Sequence, residues 1–593
     1  MSNYASRLNA LRAELSHLGY DGFLVPMADE YQSEYVPASA QRIGFLSGFT
    51  GSSAFLVIMK DKAAFFTDGR YTLQASQQIS DELFTIFDVG ATAPSAWLAT
   101  NTAKGQKIAF DPWLHTADTI ERLTKALLKT GAELVPLSHN PIDKIWDDRP
   151  ALPAEPIYAY DMIYAGKSNI EKREMIASEL QRKNLSAAVI TDPASIAWLL
   201  NIRGGDVPNT PLPLSFAIIR ASSRVKWFVD GRKVTGGLQD HLTSQVDIED
   251  PKQFPYALDQ LANEKQPVRI DPTEAASWIL ERLKAAKVQL DLGEDLCVLP
   301  KACKNQIELE GMRSAHRRDG AALVKFFAWL EKALVTDTVT EISAEEKLAE
   351  FRSAHNLYRG PSFDTISGAG GHGAIVHYRA TQVSNRKLEN GQLYLLDSGG
   401  QYLDGTTDVT RTISIGAPTA EMRDRFTRVL KGHIALASIR FPEGTTGADL
   451  DVLARQPLWA VGLDYNHGTG HGVGTYLGVH EGPQGISKRN KVPLKPGMVV
   501  SNEPGYYKAG QYGIRVENLQ AVVETVDISS ERKMLGFETL TLVPIDRRLI
   551  EVDMLTKDER DWVNNYHIRV RESIRPQVDA ETVKWLTEAT KAI

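Results

Sequence analysis

Two cysteines, Cys297 and Cys303, are all that 593 residues contain, so no disulfide framework stabilises the chain and a reducing compartment is indicated. Long apolar runs are missing as well: no stretch approaches the roughly 20 residues of a membrane-spanning helix. The opening MSNYASRLNALRAELSHLGYDG lacks the continuous apolar stretch of a signal peptide and instead sets Leu8, Leu11, Leu15 and Leu18 on one helical stripe. Nor is there a dense Lys/Arg block; 67 basic residues against 74 acidic ones give a formal charge of -7, which excludes an evident nucleic-acid or anionic-lipid surface. These absences point to the cytoplasm and to small or weakly charged partners, with neither nucleic acid nor membrane among them.

What is present is ordinary globular composition, 43% hydrophobic and 24% charged. At about 100 to 200 residues per domain, the length implies three or four domains. The N-terminal half repeats itself. RAELSHLGYDGFLVP (12–26) aligns with ASELQRKNLSAAVIT (177–191), each an amphipathic helix running into a short apolar strand, and FFTDGRYTL (65–73) aligns with WFVDGRKVT (227–235) at nearly the same offset. Two tandem α/β units follow, 1–155 and 156–304, joined through the Pro-containing linker RPALPAEPIY (149–158). A boundary at 301–305, where a strand-like segment gives way to a long helix, opens a third region, 305–527, and a C-terminal one, 528–593. In the last, Thr556 and Glu559 form a capping box for a helix over 560–570, and a final helix follows Asp579. Trp562 and Trp585 are expected to pack this tail onto its own domain or a second subunit.

The chemistry lies in the third region. Asp397 ends the apolar run YLLD, sharing a strand face with Leu395, and Asp408 follows a Gly-containing reversal, so that adjacent strands can bring the two carboxylates together. Glu503 follows the strand MVVSN, just before Pro504 and Gly505. Glu517 lies on GIRVEN, read as one strand with Arg515 and Glu517 on one face and Ile514 and Val516 on the other. Acids set among apolar residues are costly to bury without a counter-charge, and two divalent cations would supply it. HGTGHGVG offers His471 as the nitrogen ligand. Its spacing from His467 resembles that of a zincin, but glycines at 468, 470, 472 and 474 oppose a helix and no Glu follows His467. A loop or strand is expected, whose glycines let substrate and metal approach the backbone. Oxygen-rich ligation with one imidazole suits manganese first, with cobalt or zinc able to substitute. Two such ions about 3.5 to 4 Å apart can activate water and polarise a carbonyl, the chemistry of peptide hydrolysis. His377, His467 and His480, in IVHYR, YNHGTG and GVHEGP, read together as substrate contacts. Residues 368–373 fit G-x-G-x-x-G, yet AIVHYR after them reads as a strand, leaving no helix N-terminus for a dinucleotide pyrophosphate.

The ordered set DGTTDVTRT, HGTGHGVGTYLGVHEGP and YGIRVEN resembles the cytosolic, three-domain Xaa-Pro aminopeptidases of the pita-bread metallopeptidase superfamily, family M24, over essentially the whole chain. The resemblance implies a multidomain α/β and α+β fold: two tandem creatinase-like domains, a pita-bread catalytic domain and a C-terminal extension. It implies two divalent metals per subunit, with Asp397 a bidentate ligand of one, Asp408 and Glu517 bridging both, and His471 and Glu503 completing the other. A metal-bridging hydroxide would attack the carbonyl before proline, with Glu503 as the proton-transferring base. His377, His467 and His480 would orient substrate and stabilise the oxyanion, and Arg515 would pair with Asp397. Substrates would be peptides with proline at the second position, and subunits would pair as homodimers. A prolidase is disfavoured by the duplicated N-terminal unit; a ligand-less binding module and metal-free creatinase are disfavoured by the complete ligand set.

Overall fold

A computed structural model of the chain describes residues 2–336, 338–525 and 531–593. The expected boundary at 527/528 lies outside the described residues. The chain divides into two compact units, one running up to Met162 and resuming over Lys167–Val298, the other comprising Ile163–Gly166 and Leu299–Ile593.

The first unit holds two six-stranded sheets of one design. Gly22–Pro26 lies between antiparallel Phe55–Met59 and parallel Lys107–Phe110; Ala63–Thr67 and Thr85–Asp88 extend one side and Glu133–Pro136 the other. In the second sheet Ala187–Ile190 lies between antiparallel Phe216–Arg220 and parallel Val268–Ile270, extended by Val225–Phe228 and Val246–Glu249, and by Leu290–Leu292. The repeat seen in the sequence is therefore a repeat of topology. Each copy begins with a helix, Ser2–Leu18 or Asn169–Arg182, that feeds the central strand. Leu8, Leu11 and Leu15 are buried as the stripe requires, whereas Leu18 is 45% exposed, because the helix ends there and Gly19 turns the chain with φ 78°. Both DGR motifs fold alike: Asp68 and Asp230 each accept the backbone N–H and the guanidinium of the arginine two residues on, an Asx-type turn at a strand end.

In the second unit the helix Gln306–Thr336 runs for 31 residues. Ahead of it Val298–Ala302 is helical, not the end of a strand; the last strand closes earlier, at Leu292. Two sheets carry the chemistry. One orders Ile366–Ala369, Leu393–Ser398 and Val409–Ser414; the other orders Phe441–Pro442, Met534–Thr539, Asn518–Thr525, Val499–Asn502, Gly470–Gly472 and Glu481–Ile486. Helices Ala420–Ser438 and Gly447–Trp459 pack beside them, and Phe426, Leu430, Ile514, Val516, Val563 and Val570 share one apolar core. At roughly 25 cal/mol per Å² of apolar surface, such clustered side chains supply the main force holding the sheets in place.

Two strand readings need correction. AIVHYR is a turn: the strand precedes it, at Ile366–Ala369, and Gly370–Ala374 forms a short 3-10 turn. The dinucleotide motif still lacks a helix to hold a phosphate. GIRVEN is not one strand either; Tyr512–Arg515 and Asn518–Thr525 belong to different sheets, and Val516 and Glu517 form the step between them.

The capping box forms as the sequence indicates, with Thr556 and Glu559 exchanging hydrogen bonds, but the helix is longer than the expected 560–570: the N-cap at Thr556 starts it at Lys557, and it runs to Ile574. Trp562 stacks on Tyr566 at 5.4 Å, and the Trp585 Nε1–H donates to Glu331 Oε2 at 2.5 Å while its ring lies 6.5 Å from Phe327. The tail thus packs on its own unit.

Candidate metal centre

Strand periodicity sets the first two acids. Asp397 stands opposite Thr410 in the antiparallel pair Leu393–Ser398 and Val409–Ser414, and Asp408 immediately precedes the second strand. Asp408 and Thr410 therefore lie two residues apart, on one face. Glu503 follows Val499–Asn502, its N–H bonded to Thr469 O at 2.8 Å; the Glu517 N–H donates to Thr410 O at 3.2 Å. His471 is the middle residue of Gly470–Gly472. Its N–H donates to Ser501 Oγ at 2.9 Å and its Nδ1 lies 2.9 Å from Gly472 O, which aims Nε2 at Asp408 Oδ2 (3.4 Å) and Glu503 Oε1 (3.5 Å). Ligand atoms of Asp408, His471 and Glu517 all lie within 4.8 Å of one another. Asp397 joins them with Oδ2 on Arg515 Nη2 at 2.6 Å, while its buried Oδ1 has no hydrogen-bond partner among the described residues.

The electrostatics show what is lacking. Burial pushes Glu517 well above the ordinary carboxyl range, and Asp408, Asp397 and Glu503 push it further. Asp397 is raised by burial too; Arg515 opposes this, and Asp408 and Glu503 reinforce it. His471 is raised to about 9 despite burial, through its hydrogen bond to Asp408 and the charges of Glu503 and Asp408. Glu503 is held low against the effect of burial, chiefly by His471 and further by Arg515. Three buried carboxylates, the part-exposed Glu503, one arginine and one charged imidazole are short of positive charge. Oxygen donors, one imidazole and the orphaned Asp397 Oδ1 fit a pair of divalent cations.

A hydrogen-bond chain flanks the acids. His467 Nε2 lies 2.9 Å from Tyr507 Oη, Arg515 Nη1 donates to that oxygen at 2.7 Å, and Arg515 Nε donates to Thr410 Oγ1, whose hydroxyl donates to Glu517 Oε2 at 2.7 Å. Burial lowers His467 to about 4, against Glu503 and with Arg515, so it is neutral at pH 7. The His480 ring meets the His471 ring edge-on at 4.3 Å, and its neighbour Glu481 is buried between Lys301 and Lys304. His377 is half-buried next to Val376, whose carbonyl accepts Arg515 Nη2 at 3.4 Å. The turn that carries it is pinned by Glu341, which accepts from Ala369 N–H, Tyr378 O–H and Arg386 N–H and contacts His372 Nδ1.

Sequence reasoning missed Tyr507 and Glu341. In EPGYY nothing separates Tyr507 from Tyr506, and Glu341 looks like any acid in a first helical turn. The glycines of HGTGHGVG also have another role than the one expected. A Cβ on Gly470 would sit 1.9 Å from Ser501 O, and one on Gly472 2.2 Å from Glu481 O, so these glycines let neighbouring backbones close around His471. Gly470→Ala should cost about 1–3 kcal/mol through overpacking, read as a lower thermal midpoint. Gly468→Ala, whose Cβ would meet nothing within 3.5 Å and Ser487 Cβ at 3.6 Å, should leave the midpoint nearly unchanged; equal losses would show that loop flexibility, not packing, is at stake.

Residues 310–524 match the family described as Metallopeptidase family M24, residues 7–145 and 148–308 two Creatinase/Prolidase N-terminal domain families, and residues 533–593 the C-terminal region of peptidase_M24. The fold and the acidic centre are those of a metallopeptidase, and the chain belongs to family M24, among its Xaa-Pro aminopeptidases. It is 40% identical to Aminopeptidase P2 of Arabidopsis thaliana, over 99% of this chain and 88% of that protein. It is 42% identical to the Probable Xaa-Pro aminopeptidase P of Aspergillus niger, over 99% of each. The crystal structure of X-prolyl aminopeptidase from Caenorhabditis elegans, described as a cytosolic enzyme with a di-nuclear active site, is similar with a TM-score of 0.95 at 37% identity, covering 100% of both chains.

Proposed function

We propose that this chain is a two-metal aminopeptidase that removes one N-terminal residue from peptides with proline at the second position. The observation that carries it is the convergence of Asp408, His471 and Glu517 with Asp397 and Glu503 on a buried centre short of positive charge. Asp397 would hold one ion, His471 and Glu503 the other, with Asp408 and Glu517 shared; manganese suits this set, and cobalt or zinc could replace it. When bound, the ions supply Lewis acidity and a water activated for attack on the bond before proline.

The chain's own residues do the rest. Glu503, kept ionised by His471 and its neighbours, accepts and returns a proton. Arg515 fixes Asp397 and orders the Tyr507 hydroxyl against neutral His467. His467, His480 and His377 orient substrate and meet the charge that develops on the carbonyl oxygen. A proline nitrogen carries no N–H in the X-Pro bond, so recognition must rest on the ring and on the carbonyl. Domain limits of 1–155, 156–304, 305–527 and 528–593, a cytoplasmic location and a homodimer complete the reading. The cytosolic relative supports the location, and no helix among the described residues is long and apolar enough to cross a membrane.

The test strips the protein with chelator, restores Mn2+, and offers an Xaa-Pro-Xaa tripeptide beside an Xaa-Pro dipeptide. Loss and return of activity are expected, with the tripeptide cleaved about tenfold faster or more. Activity that survives both stripping and Asp408→Ala would sink the proposal. Faster dipeptide cleavage would indicate a prolidase, and metal uptake without cleavage a binding module.

A further inference from the structure

The strand Val409–Ser414 serves two clients. On one face Thr410 donates to Glu517 and accepts Arg515 Nε, while Thr412 Oγ1 donates to Arg515 O at 3.0 Å. Between them Arg411 must point the other way. It is 2% exposed and makes no ion pair with a carboxylate among the described residues. A buried guanidinium in that position is costly unless every donor is used. Here Nη1 donates to Thr410 O (2.8 Å) and Glu517 O (2.6 Å), and Nε to Pro544 O (3.0 Å). Nη2 donates to Asn518 Oδ1 (2.8 Å), Val543 O (2.7 Å) and Tyr566 Oη (2.8 Å).

Those acceptors fall into two groups. Glu517 stands on the step between two strands, Asn518 opens the strand that follows it and Thr410 lies on the strand beside it; Val543, Pro544 and Tyr566 belong to the C-terminal region, Tyr566 lying on the helix Lys557–Ile574. The tyrosine hydroxyl is itself tied to Val543 O at 2.9 Å and lies 3.2 Å from Thr541 O, so it is a fixed acceptor. Glu517 follows the end of one strand and precedes another, outside both ladders. A guanidinium gripping its carbonyl from behind holds in place a stretch of backbone that no ladder holds.

We propose that Arg411, fixed by Tyr566, is a positioning residue for Glu517, which makes the C-terminal helix part of the assembly of the metal centre. The inference rests on the two-metal reading above. Tyr566→Phe deletes one hydroxyl and keeps the ring that stacks on Trp562; Arg411→Lys keeps the charge and loses the fork. Trp585→Ala serves as control, removing packing from the same C-terminal region away from Arg411. Each metal-free protein is titrated with Mn2+ by calorimetry and melted, and tripeptide kinetics are followed as Mn2+ rises.

Wild type and Trp585→Ala should bind Mn2+ alike. Tyr566→Phe should bind at least one ion about 10–100-fold more weakly, the usual effect of losing an outer partner of a ligand, and regain kcat at saturating Mn2+ with KM unchanged. Arg411→Lys should be weaker still; if it does not fold, Tyr566→Phe decides. Affinity in Tyr566→Phe equal to wild type, or reduced no more than in Trp585→Ala, overturns the inference. A wild type that takes up no Mn2+ would instead overturn the metal reading.

Discussion

Glu517→Gln should lower kcat/KM about a thousandfold or more, some 4 kcal/mol of transition-state stabilisation, and yet raise the melting temperature of the metal-free protein. Both effects have one cause. Glu517 is buried and meets Asp408, Asp397 and Glu503 across a space without enough positive charge, which drives its carboxyl far above the ordinary range. A carboxyl whose folded-state pKa exceeds its unfolded value takes up a proton on folding. Its contribution to stability is therefore most favourable below the unfolded pKa of about 4.3 and is lost as pH rises towards the folded value, by up to about 1.4 kcal/mol per pH unit. The glutamine carries no charge and can still accept the Thr410 hydroxyl. Calorimetric melting of metal-free protein should show a gain for Glu517→Gln that is larger at pH 8 than at pH 5, whereas Mn2+ should stabilise only the wild type strongly. A variant that melts lower than wild type at pH 8 would show that the carboxylates are not in mutual repulsion.

Arg515→Met is the second large effect. The guanidinium is 1% exposed and bonds Asp397, Tyr507 and Thr410 at 2.6, 2.7 and 3.0 Å. Removing one partner of a buried ion pair leaves a charge without compensation and costs about 3–5 kcal/mol. Asp397 would then shift further up and protonate, and Tyr507 would lose the donor that orders its hydroxyl beside His467. We expect the denaturant midpoint of the metal-free protein to fall accordingly and kcat of the Mn2+-loaded protein to drop about a hundredfold or more, the scale of a lost proton-transfer arrangement. Arg515→Lys should recover part of the stability and little of kcat, because an ammonium cannot reach a carboxylate, a phenol and a hydroxyl at fixed angles. Full recovery of kcat in Arg515→Lys would mean that charge alone is required.

The chain announced much of this. The apolar run YLLD placed Asp397 on a strand and the Gly-containing reversal placed Asp408 just ahead of the next, the glycine spacing kept His471 off a helix, and Thr556 with Glu559 marked the capping box, although the helix expected over 560–570 runs from Lys557 to Ile574. The repeated DGR and helix–strand patterns became two sheets of one topology. Failures came where a local pattern was ambiguous. GIRVEN alternates like a strand throughout, but Glu517 occupies a step between two sheets, because Thr410 and Arg411 hold its backbone from either side. AIVHYR is apolar enough for a strand, yet Glu341, 36 positions before His377, draws Ala369, Tyr378 and Arg386 around itself and leaves a turn.

By itself, then, the sequence determined which side chains are available, the acids and the imidazole, the strand that carries Asp397, and the duplicated N-terminal architecture, all consequences of local patterns and their recurrence. Only the tertiary structure decided what each side chain meets. That Tyr507 joins His467 to Arg515, that Gly470 admits the backbone of Ser501, and that Arg411 ties Glu517 to Tyr566 are contacts between residues as much as 155 positions apart. Hydrogen bonds to carbonyl oxygens leave no residue-type signature on the acceptor side, and the repulsion among the four clustered carboxylates exists only after the strands have brought them together.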